Sequence, residues 1–132
     1  MSLNEEERKI VVDLELDKAS RLLVQAERNV EIELWDVVAN RLYYSLFHAV
    51  SAMLVHDHIN VSSHKGAVML FGQHYITTGK FLPDEGRFYS QLQTMREKAD
   101  YNCNWCATEE IIKPMIDPAR RFIEKVRLYV GL

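Results

Sequence analysis

Arg41, Tyr44, Ser45 and His48 stand three, four and seven positions apart within the run Asn40-Arg41-Leu42-Tyr43-Tyr44-Ser45-Leu46-Phe47-His48-Ala49. Side chains at those spacings share one face of an α-helix. A histidine exchanges protons near neutral pH, and an arginine holds phosphate oxygens in a planar fork. Together they are a minimal kit for cleaving RNA without a metal: acid–base transfer, plus positive charge to support the phosphorane. The stripe has a structural use as well. An unpaired buried charge is costly, so the arginine can instead pair with a carboxylate of a neighbouring helix while the histidine hydrogen-bonds into the core. Spacing alone leaves both uses open.

Three further groups carry chemistry. In Arg96-Glu97-Lys98-Ala99-Asp100-Tyr101, Arg96 and Asp100 are one helical turn apart and can pair, and Tyr101 adds a phenol. If its helix packs beside that of Arg41, Asp100 is the natural counter-charge for Arg41, or the floor of a site. Ser62-Ser63-His64-Lys65-Gly66 opens a helix, where free N–H groups, a lysine and a histidine suit an anion, although ordinary capping uses the same residues. Cys103-Asn104-Trp105-Cys106 supplies one CxxC pair against the roughly four ligands a structural zinc takes, with no second pair in the chain. His56, His58, His64 and His74 have no spacing that completes it, so no metal and no cofactor is expected.

The elements that must position these residues read as helices throughout. Asn4 followed by Glu5, Glu6 and Glu7 is an N-cap with acidic residues in the first turn. Val12, Leu16, Ala19, Leu23, Ala26 and Val30 then repeat in steps of four and three, which predicts a helix over 5–29. A break over 30–33 leads to a second helix that runs from Trp35, through the polar stripe, and fades near His56. Ser62 or Ser63 caps a third, closed at Thr77-Thr78-Gly79-Lys80, where glycine can adopt the left-handed conformation. After a loop over 81–86, a fourth spans 87–102 with Phe88, Leu92, Met95 and Ala99 inward. The last starts at Thr108, with Pro114 and Pro118 kinking it or restarting it near Asp117. No strand alternation or repeat is present. The expected fold is all-α, a single domain over 1–132 built as an up-and-down bundle of four long helices plus a short one.

Bulk properties narrow the setting. At 132 residues, 48% hydrophobic and 27% charged, the chain can bury a core without disulfides. A net charge of -3 excludes a broad basic field, so any nucleic-acid site has to be local or built by assembly. No apolar run is long enough for a membrane span. With two cysteines and an N-terminus unlike a signal peptide, a cytoplasmic location is expected.

Asn40-Arg41-x-Tyr43-Tyr44-x-x-Phe47-His48-Ala49 resembles the HEPN domain family (higher eukaryotes and prokaryotes nucleotide-binding domain), closest to its small stand-alone bacterial and archaeal members. Ser63-His64-Lys65-Gly66 with Phe71, Thr78-Gly79-Lys80, and Arg96-x-x-Ala99-Asp100-Tyr101 follow in the expected order, so the likeness covers nearly the whole chain, about 19–129. The resemblance implies a bundle that commonly dimerises with a polar cleft near the dimer interface. Many such proteins are metal-independent ribonucleases acting as toxins or in host defence, often encoded beside a nucleotidyltransferase-fold antitoxin. Their usual signature is an arginine and a histidine a few residues apart. Six residues separate Arg41 from His48 here. In the ribonuclease members, however, the signature lies late in the chain, where Arg96 is followed by Asp100, Tyr101 and Asn102 and by no histidine. His48 can take that place only if the second and fourth helices bring it beside Arg96.

The residues thus point to binding of RNA or a nucleotide, with Arg41, His48, Arg96 and Asp100 as the candidate catalytic set. Asn40, Tyr44, Ser45, His64, Lys65 and Tyr101 are the candidate substrate contacts. A homodimer and a nucleotidyltransferase-fold partner go with this reading. The alternative is a non-catalytic interaction module whose Arg/His/Asp stripe is a packing network.

Overall fold

A computed structural model describes residues 2–60 and 63–132. Ser62, the alternative cap named above, lies outside the described residues. The described chain is all-α. Helix α1 (Glu5–Glu31) starts on a reciprocal cap: Asn4 Oδ1 accepts from the Glu7 N–H at 2.7 Å, and Glu7 Oε1 accepts from the Asn4 N–H at 2.9 Å. Its buried line is Val12, Leu16, Ala19, Leu22 and Ala26. Helix α2 (Trp35–His56) runs back along it and is the central element, packed against α1, α4 (Pro83–Tyr101) and α6 (Ile116–Tyr129). Val38, Ala39, Leu42, Tyr43, Leu46, Ala49 and Val50 of α2 have no exposed surface, so this helix is apolar over far more than one face.

Helix α3 (His64–Phe71) is capped by Ser63, whose Oγ accepts from the Gly66 N–H at 2.9 Å. It continues as a wider π-helical turn (Gly72–Ile76), with the Thr77 hydroxyl bonded to the Gly72 and Gln73 carbonyls. Gly79, at φ +77°, closes this segment as its sequence position implies.

Helix α4 starts earlier than its sequence suggests, at Pro83. A proline in the first turn loses no helical hydrogen bond, and Glu85 Oε1 accepts the Leu82 N–H at 2.7 Å. Its fully inward line is Tyr89, Leu92 and Arg96, with Phe88, Met95 and Ala99 only partly buried. The helix is therefore rotated from the expected register, and that rotation buries an arginine.

The last segment resolves its two prolines in turn. A single turn, α5 (Glu109–Ile112), passes through a 3-10 turn (Lys113–Met115) that holds Pro114, and α6 then begins at Ile116. Pro118 falls in the first turn of α6, where its missing N–H has no partner to lose.

At the C-terminal end of α2, Asp57 ties three elements together. Its Oδ2 accepts from the Tyr75 hydroxyl at 2.6 Å and the Tyr129 hydroxyl at 2.7 Å, and its Oδ1 lies 2.8 Å from His56 Nδ1. No helix among the described residues is long and apolar enough to cross a membrane.

Candidate functional site

The site is built from α2, α3 and α4. On α4, Leu92 and Tyr89 stand four and seven residues before Arg96 and share the buried line that carries it inward. Only 7% of Arg96 is exposed. Its guanidinium carbon lies 4.9 Å from the centre of the Tyr43 ring, 5.4 Å from that of Tyr44 and 6.0 Å from that of Tyr101. Aromatic faces attract a cation without consuming its in-plane N–H donors. The carboxylates nearby hold it loosely: Asp100 Oδ2 is 3.9 Å from Arg96 Nη1, beyond hydrogen-bond reach, and the exposed Glu97 makes no ion pair with it among the described residues. Arg96 Nε is buried with no hydrogen-bond partner among the described residues. This is a caged cation with an unspent donor at Nε.

An open cleft of about 710 Å³ lies against Arg96, lined also by Lys98, Tyr101, Asn102, Cys103 and Asn104. Tyr101 is 76% exposed beside it. A polyanionic strand entering here meets a guanidinium, the Lys98 ammonium set against the Glu97 carboxylate, an exposed ring able to stack on a base, and two side-chain amides.

The direct Arg41–Asp100 pair expected from the sequence is replaced by a relay. Arg41 Nε donates to Gln25 Oε1 at 2.8 Å and its Nη1 donates to Asn40 Oδ1. Asn40 Nδ2 in turn donates to Asp100 Oδ2 at 3.1 Å. The turn of α2 points Arg41 partly toward α1, so an amide spans the gap to α4. His48 also faces α1, its Nδ1 3.1 Å from Glu15 Oε2. A carboxylate only accepts, so the proton in that contact sits on Nδ1.

Ser45 leaves the stripe altogether. It is fully buried, and its hydroxyl donates to the Leu42 carbonyl of its own helix at 2.7 Å. The stripe is narrower than a shared helical face allows, because α2 is buried on several sides. Lys65 is exposed at the start of α3.

His64 lies deeper in the cluster than its place at a helix start suggests. Its Nδ1 is 2.9 Å from the Tyr43 hydroxyl, and its ring packs 4.4 Å from Phe47 and 5.5 Å from Tyr44, centre to centre. Burial first, then the charges of Arg96 and His48, push its imidazole below the ordinary value. Burial raises the Tyr43 hydroxyl to about 12 against the opposing pull of Arg96, so it keeps its proton. Tyr43 and Phe47 stand in the sequence motif but not among the candidate contacts, and no local signal joins Tyr43 to a histidine 21 positions away.

Cys103 and Cys106 are exposed free thiols. Among the described residues, no three His, Cys, Asp or Glu side chains gather where they could hold a metal ion.

This architecture matches a known family. The family model for the HEPN domain covers residues 12–129. The chain belongs to the HEPN domain family. Among its HEPN-like relatives, the UPF0332 protein of Thermotoga maritima is 29% identical over 94% of this chain and 92% of its own length. Two proteins of Methanocaldococcus jannaschii are named "Putative toxin". MJ0142 is 25% identical over 87% of this chain and 78% of its own length. MJ0605 is 32% identical over 70% of this chain and 67% of its own length. The HEPN bundle thus supplies α2, α3 and α4 as the frame in which Arg96, Tyr43, Tyr44 and His64 meet.

Proposed function

We propose that this HEPN chain is a toxin-like effector that binds RNA, or a nucleotide, by its phosphate at the Arg96 cleft. The bound strand is cleaved without a metal ion, by attack of a ribose 2′-hydroxyl on the adjacent phosphorus. The observation that carries this reading is the state of Arg96: buried, caged by three tyrosines, unpaired at Nε and open to a cleft. A guanidinium whose donors are not consumed by a carboxylate is preorganised for a phosphate, which takes a bidentate fork. The word toxin in the names of two relatives supports the biological half. In this reading Arg41, through Asn40 and Asp100, steadies the cleft, and His64 is the imidazole that shares the Tyr43 and Tyr44 rings with Arg96. The protein works in the cytoplasm as a homodimer under the control of a nucleotidyltransferase-fold partner. Ile10, Leu14 and Val24 of α1 are more than half exposed on one helical face and offer an apolar surface for association.

The test is incubation of the purified protein with total tRNA in the presence of a chelator, beside Arg41→Ala and Arg96→Gln. Wild-type protein is expected to produce fragments ending in 2′,3′-cyclic phosphate, and Arg96→Gln to lose that activity. Wild-type protein that neither binds nor cuts RNA removes the reading.

A second reading has its own observation. The chain Gln25, Arg41, Asn40, Asp100 and the His48–Glu15 contact join α2 to both neighbouring helices, as a packing network would. On that reading the chain is an interaction module, and Arg41→Ala lowers stability by about 1–3 kcal/mol, the cost of two lost charge-assisted hydrogen bonds at a partly exposed site, while leaving any RNA binding unchanged.

A further inference from the structure

Resting on that ribonuclease reading, we infer that His64, delivered from α3, is the acid–base group that works beside Arg96, in place of a histidine following Arg96 on α4. The two side chains share the same pair of rings. Arg96 lies 4.9 and 5.4 Å from the centres of Tyr43 and Tyr44, and His64 lies 5.8 and 5.5 Å from them. No polar side chain other than Tyr43 bonds the His64 ring, and its Nε2 makes no hydrogen bond among the described residues. The Tyr43 oxygen accepts from Nδ1–H in the tautomer that leaves Nε2 unprotonated, which is the form a base needs. His48 lacks this placement. Its Nδ1 is committed to Glu15 on α1 at 3.1 Å, and its ring packs on Phe47 alone and on neither Tyr43 nor Tyr44, so it acts as a positioning group. Depression of the His64 imidazole keeps it unprotonated at neutral pH, as a base must be.

The step balances without a further reagent. His64 Nε2 takes the proton of the ribose 2′-hydroxyl as the O2′–P bond forms and the P–O5′ bond breaks. Arg96 offsets charge on the phosphorane, and the leaving 5′-oxygen takes a proton from water. The products are a 2′,3′-cyclic phosphate and a 5′-hydroxyl, after which His64 returns its proton to solvent.

The experiment is single-turnover cleavage of a fluorescein-labelled oligoribonucleotide by wild-type, His64→Ala and His48→Ala protein, with and without added imidazole. His64→Ala is expected to slow cleavage by roughly 10²–10⁴-fold, to be partly restored by imidazole, and to bind a 2′-O-methyl version of the oligonucleotide as wild type does. His64→Asn, whose amide can still meet the Tyr43 hydroxyl, serves if His64→Ala melts early. Wild-type rates in both His64 variants, or a loss that imidazole does not restore while His48→Ala abolishes cleavage, overturn the assignment. Wild-type protein that binds but does not cut also overturns it and leaves the binding half of the proposed function standing. Wild-type protein that does neither overturns both.

Discussion

The Arg96 guanidinium carbon sits 4.9 Å above the Tyr43 ring, while the closest oxygen of its helical neighbour Asp100 is 3.9 Å from Nη1. Aromatic surface rather than a carboxylate holds this cation, and the two modes differ in what they leave free. A bidentate carboxylate fills the guanidinium fork, whereas a ring face leaves it available.

That difference predicts a mild stability cost for removing the charge. Arg96→Met keeps the apolar stem and forfeits only the cation–π contacts, about 0.5–2 kcal/mol by their usual range. Asp100 is partly exposed and still takes the Asn40 amide, so no buried charge is orphaned. Urea unfolding is expected to shift by less than about 2 kcal/mol, against about 3–5 kcal/mol for a broken buried pair.

Ser45 gives a control inside the same helix. Its hydroxyl is spent on the Leu42 carbonyl and faces the core. Ser45→Ala is expected to leave RNA binding unchanged and to move stability by no more than about 1 kcal/mol, because a back-bonded hydroxyl adds little to a helix. A large loss of binding with intact folding would return Ser45 to the site.

Asp57 should set the acid limit of the fold. Burial alone would raise its carboxyl, but hydrogen bonds from Tyr75, Tyr129 and His56 outweigh it and hold the group below its ordinary 3.8. A depressed carboxyl is ionised in the native state before it is in the unfolded chain. Its contribution is therefore complete above about pH 3.8 and is lost as pH falls below that value toward the native one. Thermal melting of Asp57→Asn followed downward from pH 5 is expected to fall less steeply than wild type, from a lower starting point.

His64 acts in a higher window. Its native imidazole is depressed below 6.5 by burial and by the charges of Arg96 and His48. The unfolded chain thus takes up the proton first. The stabilising effect is full above pH 6.5 and is lost as pH falls below it toward the native value. The titratable groups around it are Tyr43, Tyr44 and His48 on α2, Arg96 on α4 and Lys65 on its own helix. His64→Gln is expected to flatten the melting profile between pH 7 and 5, and a profile parallel to wild type would contradict the depressed state.

Much of this molecule is legible in the chain because its signals are local. Asn4 with three glutamates fixes the start of α1, and the steps through Val12, Leu16, Ala19 and Ala26 fix its inner face, although Leu22 takes the buried place expected for Leu23, which is only partly buried. The family likeness rests on motifs contiguous within single helices. The site was only half legible, for geometric reasons. Arg96 reads as a solvated charge beside Asp100 until Tyr89 and Leu92 are seen to share its line, a register that the partly apolar pattern of Phe88, Met95 and Ala99 disguises. The Asn40 relay and the Tyr43–His64 contact join residues 60 and 21 positions apart, distances at which spacing says nothing. The π-helical turn at Gly72–Ile76, closed by the Thr77 N–H on the Gly72 carbonyl at 3.1 Å and accompanied by the Thr77 hydroxyl, is one that no periodicity announces.

The most direct test of the central claim is fluorescence anisotropy of a labelled 2′-O-methyl oligoribonucleotide titrated with wild-type, Arg96→Met and Arg96→Lys protein at fixed salt. A phosphate clamp at Arg96 predicts at least about tenfold weaker binding for Arg96→Met, the equivalent of roughly 1.4 kcal/mol, with only partial recovery in Arg96→Lys because an ammonium cannot form the fork. Equal affinity for all three, with normal melting curves, would contradict the site.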